Sequence, residues 1–197
     1  RTSSSYHPMA MGNRVEQESL FRGSWLGGRI ISTLPEDMIR PWRKVRWEGQ
    51  KDDDENVKTI RATEKRVRAK KRLLTCSKWA RLYGGALIVP VLRSQPDEVL
   101  AEPLDYEDIQ RDDLVALHVF ERWRINTDGT LITDAMDPEN GMPERYRLAE
   151  STVAIHHTRV VRLDGREVPY FIWRANGLWH DSVLQMIINN VKQYDAA

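Results

Sequence analysis

The stretch that most constrains this 197-residue chain is Ala80-Arg81-Leu82-Tyr83-Gly84-Gly85-Ala86-Leu87-Ile88-Val89-Pro90. A helical pattern reaches Leu82, and the paired glycines stop it as a C-terminal glycine cap does. The near-continuous apolar run Ala86 to Leu92 then reads as a buried strand. Pro90 has no N–H to give to a ladder, so part of that strand is expected at an edge or bulge. The same order excludes a phosphate cradle. These glycines follow a helix and precede a strand, the reverse of a P-loop or dinucleotide fingerprint, and no Lys-Ser or Lys-Thr follows at the right distance.

Upstream, residues 1–14 are polar and turn-prone and read as a flexible arm. Leu20, Phe21, Trp25, Leu26 and Ile30 recur at helical spacing and predict one helix over Val15 to Ser32, weakened by Gly23, Gly27 and Gly28. Pro35 opens a short helical turn with Glu36 and Asp37 near its start. Trp42 to Trp47 alternates large and charged residues, as a short strand does. After a loop over Asp52 to Asn56, with Asp54 or Asn56 as a cap, one long helix is expected over Val57 to Leu82. Its apolar stripe is Ile60, Thr63, Val67 and Leu74, and its basic stripe is Lys58, Arg61, Lys65, Arg68 and Arg72.

Downstream, residues 93–103 are loop. Leu114 to Ile125 reads as a strand with Leu117, Val119 and Trp123 inward, and Asn126-Thr127-Asp128-Gly129 as a turn. Tyr146 to Leu148 and Val153 to Leu163 read as two further strands, with a hairpin-type turn at Asp164-Gly165. Leu178 to Tyr194 reads as an amphipathic helix with Val183, Met186, Ile187 and Val191 on one side. The order predicts an α+β fold, with a mixed or mainly antiparallel sheet and flanking helices that include one long helix.

Composition narrows the function classes. Thirty Lys and Arg against 29 Asp and Glu leave a formal charge of +1, so the whole chain is not built for an acidic partner. The charge is instead in blocks: acidic Asp52 to Glu55, basic Lys58 to Arg81, acidic Asp97 to Asp113. Such alternation suits head-to-tail contacts between subunits. Seven Trp and six Tyr need a packed interior, which excludes a disordered chain. A lone Cys76 forms no internal disulfide, and neither a signal-peptide run at the N-terminus nor a span of about 20 apolar residues is present. A soluble, intracellular protein is expected. The start on Arg1 rather than Met is expected of a piece of a longer chain or of a processed one.

Few residues invite chemistry. Cys76, inside a helix and without an evident histidine partner, reads as a packed structural thiol. Asp112-Asp113 reads as solvated loop surface. In a strand His156 and His157 point to opposite faces, so they cannot share one metal without distortion, whereas His156 and Thr158 share a face. His156-x-Thr158 is similar to half of a two-histidine phosphoesterase site, which needs a second His-x-Ser or His-x-Thr to supply both acid and base. His180-Asp181-Ser182 has that spacing but sits at an expected helix start. A structural role for the strand is the stronger expectation, with a phosphoesterase using His156 and Thr158 as the alternative. The basic stripe offers a subunit contact or, as another alternative, a nucleic-acid-binding helix. No aromatics interleave for base stacking, so any nucleic-acid contact there would be to phosphates.

Four patterns in order resemble the portal proteins of tailed bacteriophages: Ser19-Leu20-Phe21-Arg22-Gly23-Ser24-Trp25-Leu26 through Ile31; Pro35-Glu36-Asp37-Met38-Ile39-Arg40-Pro41-Trp42; Ala80 to Val89; and Ile155-His156-His157-Thr158-Arg159-Val160-Val161, with Thr158 where serine is common. The resemblance implies no catalysis and no cofactor. It implies a homo-oligomeric ring, typically of twelve subunits, at a capsid vertex, through which double-stranded DNA passes non-specifically. Terminase motor, capsid and head–tail connector proteins are the implied partners, with no membrane, and the places are the virion and the host cytoplasm during assembly. Residues 15–178 would form the wing-like α+β domain and 179–197 a helix leading towards the stem.

Overall fold

The computed structural model describes residues 13–46 and 55–195. The expected arm up to residue 12, Trp47 and the acidic run Asp52 to Asp54 lie outside them. The fold is α+β, as expected, and both of its sheets are antiparallel.

The expected first helix is two. Helix α1 spans Arg14–Gly23 and α2 spans Trp25–Ile39. Ser24 between them is extended (φ −100°, ψ 124°), and its hydroxyl accepts from the Gly27 N–H at 3.1 Å, capping α2. A Cβ on Gly27 would lie 2.6 Å from the Leu20 carbonyl oxygen, so glycine is what lets α2 turn back against α1. The split turns Trp25 out to solvent, 71% exposed, where a continuous helix would bury it. Pro35 does not open a new element. It lies fully buried inside α2, whose hydrogen bonding continues to Arg40 N–H on Glu36. Residues 42–46 form no strand, because Trp42 and Arg43 turn to Glu64 instead.

The segment expected as one long helix is helical on both sides of a two-residue break. Helix α3 spans Glu55–Arg66 and α4 spans Ala69–Tyr83, with Arg68 left-handed between them at φ 54°. Val57 and Val67 stay buried across the break. Gly84 then adopts φ 92° and its N–H closes on the Ala80 carbonyl at 2.8 Å, the expected cap.

Strand β1, Gly85–Leu92, is the middle of the first sheet. It lies between β2, Leu114–Glu121, and β6, Val161–Asp164. Ala86 and Ile88 face α4, packing with Cys76, Ala80 and the half-buried Leu117, Val119 and Leu163. Leu87 faces the other way, packing with Ile125, Tyr146 and Trp179. Burial on both faces is why this strand is continuously apolar rather than alternating. Pro90 lies beyond the last β6 pair, Ile88 with Val161, so one of its sides is already an edge. The register with β2 shifts between Val91 and Leu92.

The second sheet has the order β3, Ile125–Thr127; β4, Arg145–Leu148; β5, Ala154–His156. Two expected strands are thus each cut by a 3-10 turn, at Arg122–Arg124 and at His157–Arg159, which carries the chain from one sheet to the other. Asp164-Gly165 makes no hairpin. Gly165 donates to the Gly84 carbonyl at 3.0 Å, and Arg166 bridges to Asp181. A short unexpected helix, α5 (Tyr170–Ala175), follows. The expected C-terminal helix begins late: Leu178 is left-handed at φ 68°, a 3-10 turn runs Val183–Met186, and α6 spans Ile188–Asp195. Leu184 and Val191 join Leu20, Ile31, Leu82 and Tyr83 in the third core cluster, while Met186 turns out to solvent. Burial of aliphatic side chains as complete as Ile31, Leu82 and Leu184 contributes about 1.5–3 kcal/mol each.

The crossing point tolerates no side chain. A Cβ would lie 2.0 Å from the His180 oxygen at Gly84, 2.0 Å from the Trp179 ring at Gly85 and 2.4 Å from the Asp181 oxygen at Gly165. We predict that Gly165→Ala, which meets backbone on every side, destabilises the chain by about 2 kcal/mol or more in urea titration. Gly23→Ala, with nothing within 4 Å, is the control and is expected to be neutral or slightly stabilising.

Candidate functional site

The segment that most resembles a catalytic motif is a latch. His156 ends β5, and its N–H donates to the Leu100 carbonyl at 2.8 Å. The chain then tightens into the 3-10 turn, so the two histidine rings stand side by side, centroids 4.4 Å apart, rather than on opposite faces. His156 Nδ1 accepts from the Thr158 N–H at 3.3 Å and lies 3.0 Å from Thr158 Oγ1. Thr158 Oγ1 in turn accepts from the Leu104 N–H at 2.8 Å. With one lone pair the hydroxyl accepts, and its proton is then free to go to His156 Nδ1, which assigns the neutral tautomer protonated on Nε2. Burial, and next the neighbouring His157, hold His156 below the usual histidine range, in keeping with that assignment.

Arg159 completes the latch. It is 8% exposed, and its guanidinium donates to the Glu102 carbonyl at 2.6 Å, the Pro103 carbonyl at 3.0 Å and the Gln95 side-chain oxygen. His157 donates its N–H to the Glu144 carbonyl at 2.9 Å, and its Nδ1 lies 2.8 Å from Glu139 Oε2. The His156 N–H, Thr158 Oγ1 and Arg159 thus hold the loop 95–104, while His157 holds Glu144 and Glu139.

The second half of a two-histidine site is not brought alongside. Thr158 borders the Val89–Leu92 end of β1. His180 lies at the other end, with its carbonyl against Gly84 and its Nδ1 accepting from the Val168 N–H at 3.2 Å. Cys76 is buried, and burial pushes its thiol up to about 12, so it is not poised as a nucleophile. Asp113 departs from the expectation of solvated surface. It is buried, accepts from Ser94 N–H at 2.8 Å and from the Ser94 hydroxyl, and that hydroxyl holds it below the usual carboxylate range. Among the described residues no three His, Cys, Asp or Glu side chains are grouped to hold a metal ion.

The five cations of the basic stripe do not share one helix. Lys58, Arg61 and Lys65 lie on α3, Arg68 on the left-handed break and Arg72 on α4. The first four are exposed and Arg72 is half-buried. Sequence reasoning missed the inward-facing arginines. Arg122 donates to the carbonyls of Tyr83, His180 and Asn176 at 3.1–3.3 Å. Arg162 pairs with Asp164 at 2.9 Å, donates to Tyr146 Oη at 3.1 Å and stacks over Trp179 at 4.1 Å. Arg122 had one signal, the adjacent Trp123, which packs against the core, whereas Arg162 lies in register with Leu87 and had none.

Two outcomes follow from this geometry. Arg159→Leu leaves two carbonyls of the 102–103 loop without their donor and is expected to cost about 2–4 kcal/mol in denaturant unfolding. His156 binds a proton less readily folded than unfolded. Its contribution to stability is therefore complete above about pH 6.5 and is lost as the pH falls below that towards the lower folded value. The stability difference between wild type and His156→Leu should shrink between pH 7 and pH 5. A difference that is flat or grows would contradict the neutral assignment.

Residues 15–197 match the model of a family described as phage portal protein. Curated relatives include an "Anti-CBASS protein Acb1" of Caulobacter sp. (strain RHG1), 33% identical over 99% of this chain and 30% of that protein. A second protein of the same name, from Sphingomonas paeninsulae, is 30% identical over 94% of the chain and 30% of its own length. An uncharacterized protein of Haemophilus influenzae is 26% identical over 93% of the chain and 40% of its own length. The chain thus spans well under half the length of these relatives. Because the family match runs from the first turn of α1 through α6, and so takes in both sheets and the latch between them, the chain belongs to the phage portal protein family.

Proposed function

We propose that this chain is a non-catalytic, wing-like part of a portal subunit, one of the ring that forms the DNA conduit at a phage capsid vertex and docks the packaging motor and head–tail connector. The observation that carries the proposal is the family match over residues 15–197. The latch supports it from the chemical side: Thr158 Oγ1 and Arg159 are engaged by the backbone of loop 95–104, and no second His-x-Ser or His-x-Thr is brought beside His156 to supply the partner acid or base. The residues 179–197, on this reading, lead the chain towards the stem. Two relatives carry the anti-CBASS name, but the match covers 30% of each. The name therefore does not by itself give the shared segment an activity.

Light scattering of the full-length protein is expected to give a mass of many subunits, twelve in the usual form of the family, with closed rings in negative stain. A stable monomer across micromolar concentrations would contradict the proposal. The exposed cations Arg61, Lys65 and Arg68 further suit a sequence-independent contact with passing DNA. Reversing Arg61 and Arg68 to Glu should lower the slope of log affinity against log salt by about 2. An unchanged slope would reserve that face for protein contacts.

A further inference from the structure

The first sheet carries two unpartnered apolar features at opposite ends of its middle strand. At the Val89–Leu92 end, where β6 has already stopped, lies a groove of about 420 Å³. Val89, Val91, Leu100, Leu104, Ile109 and Val161 line it. Asp97 also lines it, and the loop that supplies Asp97, Leu100, Leu104 and Ile109 is acidic: Asp97, Glu98, Glu102, Asp105, Glu107 and Asp108 are all exposed, and among the described residues none is held in an ion pair. The cation within the groove, Arg159, is spent on backbone carbonyls.

At the Gly85 end sits α5. It is pinned there by Leu178 N–H on the Trp173 carbonyl at 2.9 Å, Arg122 on the Asn176 carbonyl at 3.1 Å, and Val168 N–H on His180. Trp173 turns inward, while Tyr170, Phe171 and Ile172 turn out, Phe171 to 84% exposure. Exposed Arg166 and Arg174 flank this knob, with Glu167 the one acid between Arg166 and Arg174. An apolar knob edged by cations and an apolar groove edged by carboxylates are complementary in both respects. They lie roughly 23 Å apart along β1, at 3.3 Å per residue, too far to meet within one chain.

We infer that the α5 knob of one copy of this chain docks in the acidic-rimmed groove of the next. The contact is heterologous: it uses two different patches, leaves one of each free on every dimer, and so propagates head to tail until a ring closes. Phe171 is the aromatic anchor, and the carboxylate rim orients Arg166 and Arg174. The inference rests on the reading of this chain as a ring subunit and assigns the surfaces by which neighbours meet.

The test uses the full-length protein. Phe171→Asp changes an exposed side chain outside the core clusters, so the melting temperature should hold. Subunit affinity should fall by about 30-fold or more, the loss expected of a buried aromatic anchor, and rings should give way to monomers. Val161→Arg, from the groove side, should do the same. Phe171→Cys combined with Ile109→Cys should give a ladder of covalent oligomers on oxidation, which neither single variant gives. Rings that stay intact in both Phe171→Asp and Val161→Arg, with no ladder from the cysteine pair, assign the groove to another occupant and overturn this contact while leaving the ring reading in place. A monomeric wild type overturns both.

Discussion

Everything in this fold passes through the contact of Gly84, Gly85 and Gly165 with the segment Trp179–Asp181. The end of α4, the start of β1, the end of β6 and the return of the chain towards α6 all meet there. Backbone meets backbone, or the flat face of an indole, because a Cβ at any of the three would overlap its neighbour. Once that crossing forms, α4 must lie on one face of β1 and Trp179 on the other. The two-sided burial of the strand and the placing of all three core clusters then follow.

Arginine does the work that hydrogen bonds between strands cannot do where the chain leaves its ladders. Arg122 gathers the carbonyls of Tyr83, Asn176 and His180 at the glycine crossing, Arg162 ties β6 to Tyr146 and Leu178, Arg81 caps the Ile30 carbonyl and Arg159 holds loop 102–103. A guanidinium has five donors in a fixed fork, which lets one side chain satisfy several carbonyls of irregular backbone at once. Trp123 beside Arg122, at 4.7 Å, and Trp179 beside Arg162 shield these cations from water and add cation–π attraction. The charge of these four arginines is therefore structural, whereas the exposed cations of α3, the Arg68 break and the α5 flanks are open to a partner.

How much of this was legible in the sequence varied with how local the cause was. The glycine cap and the buried strand after it were legible because Gly84, Gly85 and an unbroken apolar run act locally. The breaks were not. Ser24 stops α1 only because Gly27 lets α2 fold back on Leu20, and Arg68 enters a left-handed conformation that no propensity assigns to arginine. The 3-10 turn at His157–Arg159 is fixed by the Leu104 N–H and the Glu102 carbonyl of loop 95–104, which lies more than fifty residues away in sequence, so periodicity read it as continuous strand. Helix α5 did have a signal, in Pro169 before an aromatic run and Gly177 after it, at φ 67°. The groove had none, since it forms from the early stopping of β6 beside β1.

The central claim is that this α+β unit is a wall element of a ring, with its apparent chemistry spent on holding loops. Cryo-electron microscopy of the assembled full-length protein tests it most directly. The account predicts a closed ring in which this segment recurs around the axis, neighbouring copies touching through it, with the His156–Arg159 latch intact and its His156 and Arg159 side chains buried. A monomeric protein, or a ring in which this segment hangs free of its neighbours with the His156 and Arg159 side chains released from loop 95–104, would contradict it.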